Sequence, residues 1–315
     1  VIKAVPLRHP WRWVAVVVIA VRAAMLVHNL VTNPAYRWTL VGKYVFDLRV
    51  VQGVGYTLLL SVSAMIIALI VGVSLAVMRM SDNPVLSGVA WLYLWVFRGT
   101  PVYTQLVFWG LISVLLPTFG LGLPFGPTFV EFNTESVFTP FIAAMIGLAL
   151  NEAAYMAEIV RGGLLAVDSG QAEAASALGM GKGKAMTRIV LPQAMRVIVP
   201  PSGNEFISML KTTSLVLAVP FSLELQKATQ NIANRLYAPL PLLIVAAIWY
   251  LVVTSLLMSG QFYVERYYAR GTNRAQPLTP RQKLVGFLTR SAPKKPKPEP
   301  VTTDIDESIN VRGRG

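Results

Sequence analysis

Residues 168–192 read DSGQAEAASALGMGKGKAMTRIVLP, a long hydrophilic interruption between two apolar blocks. Ala174, Ala175, Ala177 and Ala185 favour helix, while Gly179, Gly181 and Gly183 break it. The stretch therefore predicts a short helix, a turn, and a second helix running to Leu191-Pro192. A compact helix with an alanine-lined face is suited to docking in a groove of another protein. Composition alone equally allows an ordinary connecting loop.

The surroundings decide what kind of chain carries this stretch. Its 315 residues are 54% hydrophobic and only 14% charged, with a mean hydropathy of +0.56. Soluble proteins average roughly 25% charged residues. The apolar residues come in long blocks, and a helix needs about 20 of them to cross a bilayer. There is no cysteine, which excludes disulfides and thiolate metal sites. The net charge of +13 sits largely at Lys3, Arg8 and Arg12 and in the segment after Val264. Basic flanks of apolar spans account for it. No aromatic-interleaved basic groove accompanies these residues, so no nucleic-acid partner is expected.

Six spans are predicted, in an all-α membrane bundle. Residues 13–31 form the first, interrupted by Arg22 and His28. No small-residue cleavage pattern follows it, so a removable leader is the weaker reading. Residues 54–78 form the second, ended by Ser81-Asp82-Asn83-Pro84. The block 85–116 is divided by Arg98-Gly99-Thr100-Pro101. Thr100 reads as an N-cap with Pro101 at the first helical position, giving an interfacial helix over 85–97 and a third span over 101–116. Residues 138–165, 189–220 and 240–264 complete the set. Pro200-Pro201 should kink or break the fifth. Gly55, Gly72, Gly88, Gly110 and Gly147 read as close helix-packing positions. Trp91, Trp95, Trp109 and Trp249 read as interface anchors or packing residues. The chain thus divides into an added helix and connector (1–50), a core (51–270), and a basic tail (271–315) expected to be disordered.

Loop charge sets an expected orientation. Lys182, Lys184, Arg188 and Arg196 mark 166–196 as cytoplasmic, whereas 117–137 carry no Lys or Arg. Six spans then place both termini in the cytoplasm. Residues 33–53, with Arg37, Lys43 and Arg49, go against the rule and are outweighed.

Residue type, spacing and position together identify the 168–192 stretch. Glu173-Ala174-Ala175, three residues, Gly179, nine residues, Ile189, then Leu191-Pro192 resembles the EAA signature of binding-protein-dependent ABC importer permeases. Gln171 extends it. Over roughly 53–271 the chain is similar to the polar amino acid branch of that family, of histidine/glutamine/glutamate type. The similarity lies in Arg98-Gly99-Thr100-Pro101 with Gln105; Tyr155, Glu158, Arg161, Gly162 and Gly163; Gln193-Ala194; Pro200-Pro201; Asn204; and Lys211-Thr212-Thr213-Ser214-Leu215. The resemblance implies a type I importer permease in a bacterial plasma membrane. It implies partners: an extracytoplasmic solute-binding protein, a second permease subunit, and ATP-binding subunits that receive 173–179 and hold ATP and magnesium. The chain itself carries no G-x-x-x-x-G-K-[ST], no G-x-S-x-G, no HExxH and no Cys/His cluster. No enzymatic activity, cofactor or metal is expected on it.

Ionisable residues within spans usually face a bundle interior or a wet path. Asn151, Tyr155, Glu158 and Gly162 share one helical face. Glu158 either meets the substrate or gates the path, or forms a structural i,i+3 pair with Arg161; the local partner favours the pair. Asn204, Glu205, Ser208, Lys211, Thr212 and Ser214 form a second polar stripe. It either lines the path or packs one permease against another. Two other functions remain open: the same fold carrying a peptide, methionine or an oxyanion, and a transporter or channel working without ATP. No inverted repeat supports the latter.

Overall fold

The computed structural model describes residues 10–123 and 126–268. The basic tail 271–315, Lys3 and Arg8 lie outside the described residues. Among the described residues the secondary structure is helical apart from one hairpin. In order it forms α1 (Pro10–Thr32), α2 (Trp38–Tyr44), α3 (Leu48–Arg79), α4 (Pro84–Gly99), α5 (Val102–Gly110) and α6 (Ile112–Leu115). Strands β1 (Thr118–Gly122) and β2 (Thr128–Asn133) pair antiparallel, with Thr118 opposite Asn133. Then come α7 (Thr134–Val137), α8 (Pro140–Leu165), α9 (Ser169–Ala177), α10 (Lys182–Ala185), α11 (Leu191–Thr212), α12 (Leu225–Leu236) and α13 (Pro239–Tyr268).

The helix starts follow from local chemistry. Asp47, Asn83, Thr139, Asp168 and Glu224 each accept a backbone N–H of the first turn they precede, which satisfies donors a helix leaves orphaned. Among the described residues, four helices are long and apolar enough to cross a membrane: Trp13–Thr32, Leu48–Arg79, Pro140–Leu165 and Pro239–Tyr268. These are the expected first, second, fourth and sixth spans. α11 adds a 22-residue crossing that is more polar.

The expected third span is built differently. α5 has 9 residues, and the chain turns at Leu111 into the four-residue α6. At about 1.5 Å per residue neither α5 nor the 16-residue α4 spans alone. α4 is also not confined to an interface. The Tyr93 hydroxyl donates to Leu150 O, near the middle of α8, at 2.8 Å. One crossing is therefore made in two pieces, α4 then α5, with the joint at mid-bundle. Thr100 is the C-cap of α4 and Pro101 the N-cap of α5, one position away from the reading made on sequence.

α3 and α8 form the centre of the bundle. Ala64, Ala68, Gly72 and Ala76 recur every fourth residue on α3 and are buried. They face the buried Ala149, Ala153, Met156 and Ala157 of α8. A Cβ at Gly72 would sit 2.7 Å from Met156 Cβ and 3.0 Å from Ala153 O. Small residues let the backbones meet, which is how helices associate where lipid removes the hydrophobic drive. Gly147 is similarly closed, against Leu106 at 2.9 Å, and Gly110 touches Val219. Gly55 and Gly88 are not close-packing positions: a Cβ added at either would meet no neighbouring element within 4 Å. Gly163 and Gly203 are, against Ile198 and Gln261, because there α11 crosses α8 and α13.

Of the two outcomes expected at Pro200-Pro201, a kink or a break, the break does not occur: α11 runs through both prolines as one helix. Neighbouring side chains supply donors to nearby carbonyls: Ser202 Oγ to Ile198 O at 2.8 Å, and Gln261 Nε2 to Pro200 O at 2.8 Å. This is how membrane helices absorb proline. α12 is anchored by Glu224, which is fully buried. Its carboxylate accepts from Thr57 Oγ1 at 3.0 Å, from the Gln226 and Lys227 amides at 2.7 and 3.2 Å, and from the Tyr250 hydroxyl. α3, α12 and α13 are thereby tied together at the end of the bundle away from α9. Trp249 Nε1 donates to Val45 O at 2.7 Å at the same end. α1 stays exposed along its whole apolar window.

Candidate functional site: an end loop and a mid-bundle cavity

The 168–192 stretch folds as a helix, a turn and a second helix. Asp168 starts α9 by accepting the Gly170 amide at 2.7 Å. Gly179 ends it with φ of +76°, and Met180 N donates to Ala175 O at 3.0 Å. A left-handed residue closing a six-residue loop of this kind is the glycine-dependent helix stop. Here the glycine is required by backbone conformation. The second helix does not end at Leu191-Pro192. α10 passes through a π-helical turn, Met186–Val190, directly into α11. Proline at 192 removes a donor, and the wider turn accommodates this, with Leu191 N bonding to Met186 O.

The loop is thus a rigid continuation of a membrane helix. Ala175 and Ala185 are buried within it. Gln171, Glu173, Ala174, Gly179, Leu191 and Pro192 are exposed, and Ile189 is half-buried. Leu178 is 82% exposed. Glu173 makes no hydrogen bond or ion pair among the described residues. Gln193 Nε2 reaches Gln171 Oε1 at 3.4 Å, joining α9 to α11. The arrangement offers an apolar and acidic knob, without partners among the described residues, on a helix continuous with α11.

Deeper in the bundle lies a cavity of about 580 Å³ bounded by the α4–α5 joint, α8 and α11. Its polar lining is Arg98, Thr100, Asn151, Glu152, Tyr155, Glu205, Ser208 and Thr212. Two side chains, Gln105 and Asn151, bond the backbone of the joint. Gln105 Nε2 donates to Thr100 Oγ1 at 2.7 Å, Phe97 O at 3.0 Å and Thr100 O at 3.2 Å. Its Oε1 accepts from Asn151 Nδ2 at 3.2 Å, and that amide also donates to Phe97 O at 3.1 Å. Unwound backbone at membrane depth needs such partners.

Not all the residues singled out on sequence meet here. Asn151, Glu205 and Thr212 line the cavity; Gln105 is buried in its wall. Glu158 accepts from Arg161 Nη2 at 2.7 Å, beside the cavity. Asn204 donates weakly to Glu265 of α13, 3.4 Å away. Lys211 is exposed and outside the lining, and Ser214 Oγ donates to Lys211 O at 2.8 Å.

Glu152, which is not among the site residues expected from sequence, is the most telling member. It is 7% exposed, and its Oε1 finds no hydrogen-bond partner among the described residues. Leu148, Glu152 and Tyr155, at i, i+4 and i+7, share a face, and that periodicity was the available signal. Arg98 lies over the Tyr155 ring, 5.6 Å from its centroid. The cavity thus holds two carboxyls, one guanidinium, hydroxyls and an amide. Such a set can take a small molecule with both an ammonium and a carboxylate. No group of His, Cys, Asp and Glu suited to a metal occurs among the described residues.

Comparison with known proteins places these features in a family. The model described as "Binding-protein-dependent transport system inner membrane component" matches residues 64–270. The chain is 52% identical over 282 residues to the arginine transport system permease protein ArgU of Corynebacterium glutamicum, covering 89% of this chain and 87% of that one. It is 35% identical over 212 residues to the arginine transport system permease protein ArtQ of Bacillus subtilis, covering 67% and 89%. Among solved structures it is similar to an amino acid ABC transporter crystallised with histidines. The identity is 33% and the TM-score 0.58, over 70% of this chain and 94% of that chain.

Proposed function

The chain belongs to the binding-protein-dependent transport system inner membrane components, with the type I importer permease fold, and from that premise we propose that it forms the membrane path of an ATP-driven importer for polar amino acids, preferring cationic ones. It is a multi-pass inner-membrane protein. The observation that carries the cargo reading is the charge in the mid-bundle cavity. A zwitterion uses one carboxylate for its ammonium and Arg98 for its carboxyl group. The second of Glu152 and Glu205 then remains, and it matches a cationic side chain. The names of the relatives, arginine permeases, agree with that chemistry.

The loop supplies the coupling. ATP and magnesium are held by separate ATP-binding subunits, which grip the exposed face of α9 and move α11 through the continuous helix. This chain hydrolyses nothing. An extracytoplasmic binding protein delivers cargo to the end opposite α9, and a second permease subunit completes the path. By loop charge, residues 166–196 and both termini face the cytoplasm.

The test is ATP-dependent uptake of labelled arginine by the whole importer in vesicles, with unlabelled competitors. Cationic amino acids should compete best, neutral polar ones less, and oxyanions and peptides not at all. Peptide or oxyanion competition equal to that of arginine would overturn the cargo.

A further inference from the structure

A second pocket, of about 370 Å³, lies on the α9 side of the cavity, walled by Arg79, Trp91, Leu94, Trp95, Arg98 and Glu158. Its charge is unbalanced. The single carboxylate, Glu158, is already engaged by Arg161 at 2.7 Å. Arg79 donates to the Ser87 hydroxyl at 2.9 Å, and Arg98 rests on the Tyr155 ring. Neither has an ion-pair partner among the described residues. Behind Glu158, the buried Nε–H of Arg161 is also unpaired. Three guanidiniums thus converge on one carboxylate, with donors to spare.

The position says what fills it. Arg79 is the last residue of α3, so the pocket opens where that span leaves the hydrocarbon. On its rim Trp91 and Trp95 stack at 6.2 Å and 10° while remaining 52% and 63% exposed. Exposed tryptophans beside arginines at a span end are the chemistry of the headgroup layer. We infer that this pocket binds the phosphate of an anionic phospholipid from the leaflet on the α9 side, with Arg79 on the phosphate and the Trp91–Trp95 pair against the glycerol and upper acyl chain, Arg98 lying deeper and adding only its positive field. A soluble anion would use the arginines and gain nothing from the tryptophans, so the two side-chain classes separate the sources. The inference does not rest on the cargo reading.

The importer would be purified from phosphatidylcholine–phosphatidylglycerol vesicles and retained lipid counted by native mass spectrometry. Phosphatidylglycerol should be retained over phosphatidylcholine. Arg79→Ala should weaken retention about fivefold, as expected for one arginine at a headgroup, and Arg79→Lys should recover part of it. Trp91→Ala with Trp95→Ala should weaken it too, and excess inorganic phosphate should not displace the lipid. Equal retention of both lipids, no effect of Arg79→Ala in a protein of unchanged melting temperature, or displacement by inorganic phosphate would each overturn the assignment.

Discussion

The loop at one end of the bundle and the cavity in its middle are built in opposite ways. The loop draws its residues from one continuous stretch, keeps few bonds to the rest of the chain, and turns its distinctive side chains outward. The cavity draws on the α4–α5 joint, one face of α8 and one face of α11, and turns its side chains toward one another. The contrast follows from what each must contact. A knob read by another protein needs local shape, set by a helix, a glycine stop and exposed side chains. A chamber for a small polar molecule needs convergent groups screened from lipid, and only packed helices supply those.

The contrast can be broken or sharpened by mutation. The largest effect is expected from Glu173→Arg. Glu173 is exposed and bonds to nothing among the described residues, so the melting temperature should hold. ATP-driven uptake should nevertheless fall about 100-fold, in the range for reversing a charge at an interface. Unchanged uptake with a stable complex would remove the coupling role from the loop.

Glu152→Gln comes next. It keeps the shape and removes one cavity charge, so the half-saturating concentration for arginine should rise about 30-fold. Glutamine uptake should change much less. An equal loss for both amino acids would mean that Glu152 holds the bundle together and does not read the cargo.

The smallest effect is expected from Gln105→Leu. This side chain faces the wall, so its loss should appear first as stability, about 1–3 kcal/mol for stranding its buried partners. A thermal melt in detergent measures that. Lost arginine binding without lost stability would move Gln105 from the wall into the path.

Legibility followed the same division. The long apolar helices could be read because a span is a local run of residues, and α3, α8 and α13 appear where hydropathy places them. The third crossing was misjudged because its apolar residues are shared between two short helices. Whether α4 lies on the surface or reaches Leu150 is decided by Tyr93 and Gln105, through bonds to residues far along the chain. The glycines show the same limit. Gly72 and Gly55 look alike in sequence, yet only Gly72 meets another backbone, because α8 crosses α3 at that height.

The sequence by itself determined that the chain crosses a membrane several times and that residues 168–192 fold as a short helix, a glycine turn and a second helix. Both depend on forces between neighbours in the chain: transfer of apolar runs into lipid, and backbone freedom at a glycine. Only the tertiary structure decided that Glu152 and Glu205 share a chamber and that Gln105 belongs to its wall. Those outcomes depend on where α5, α8 and α11 touch, and that is set in part by small residues, such as Gly147 against Leu106 and Gly163 against Ile198, that bring backbones into contact.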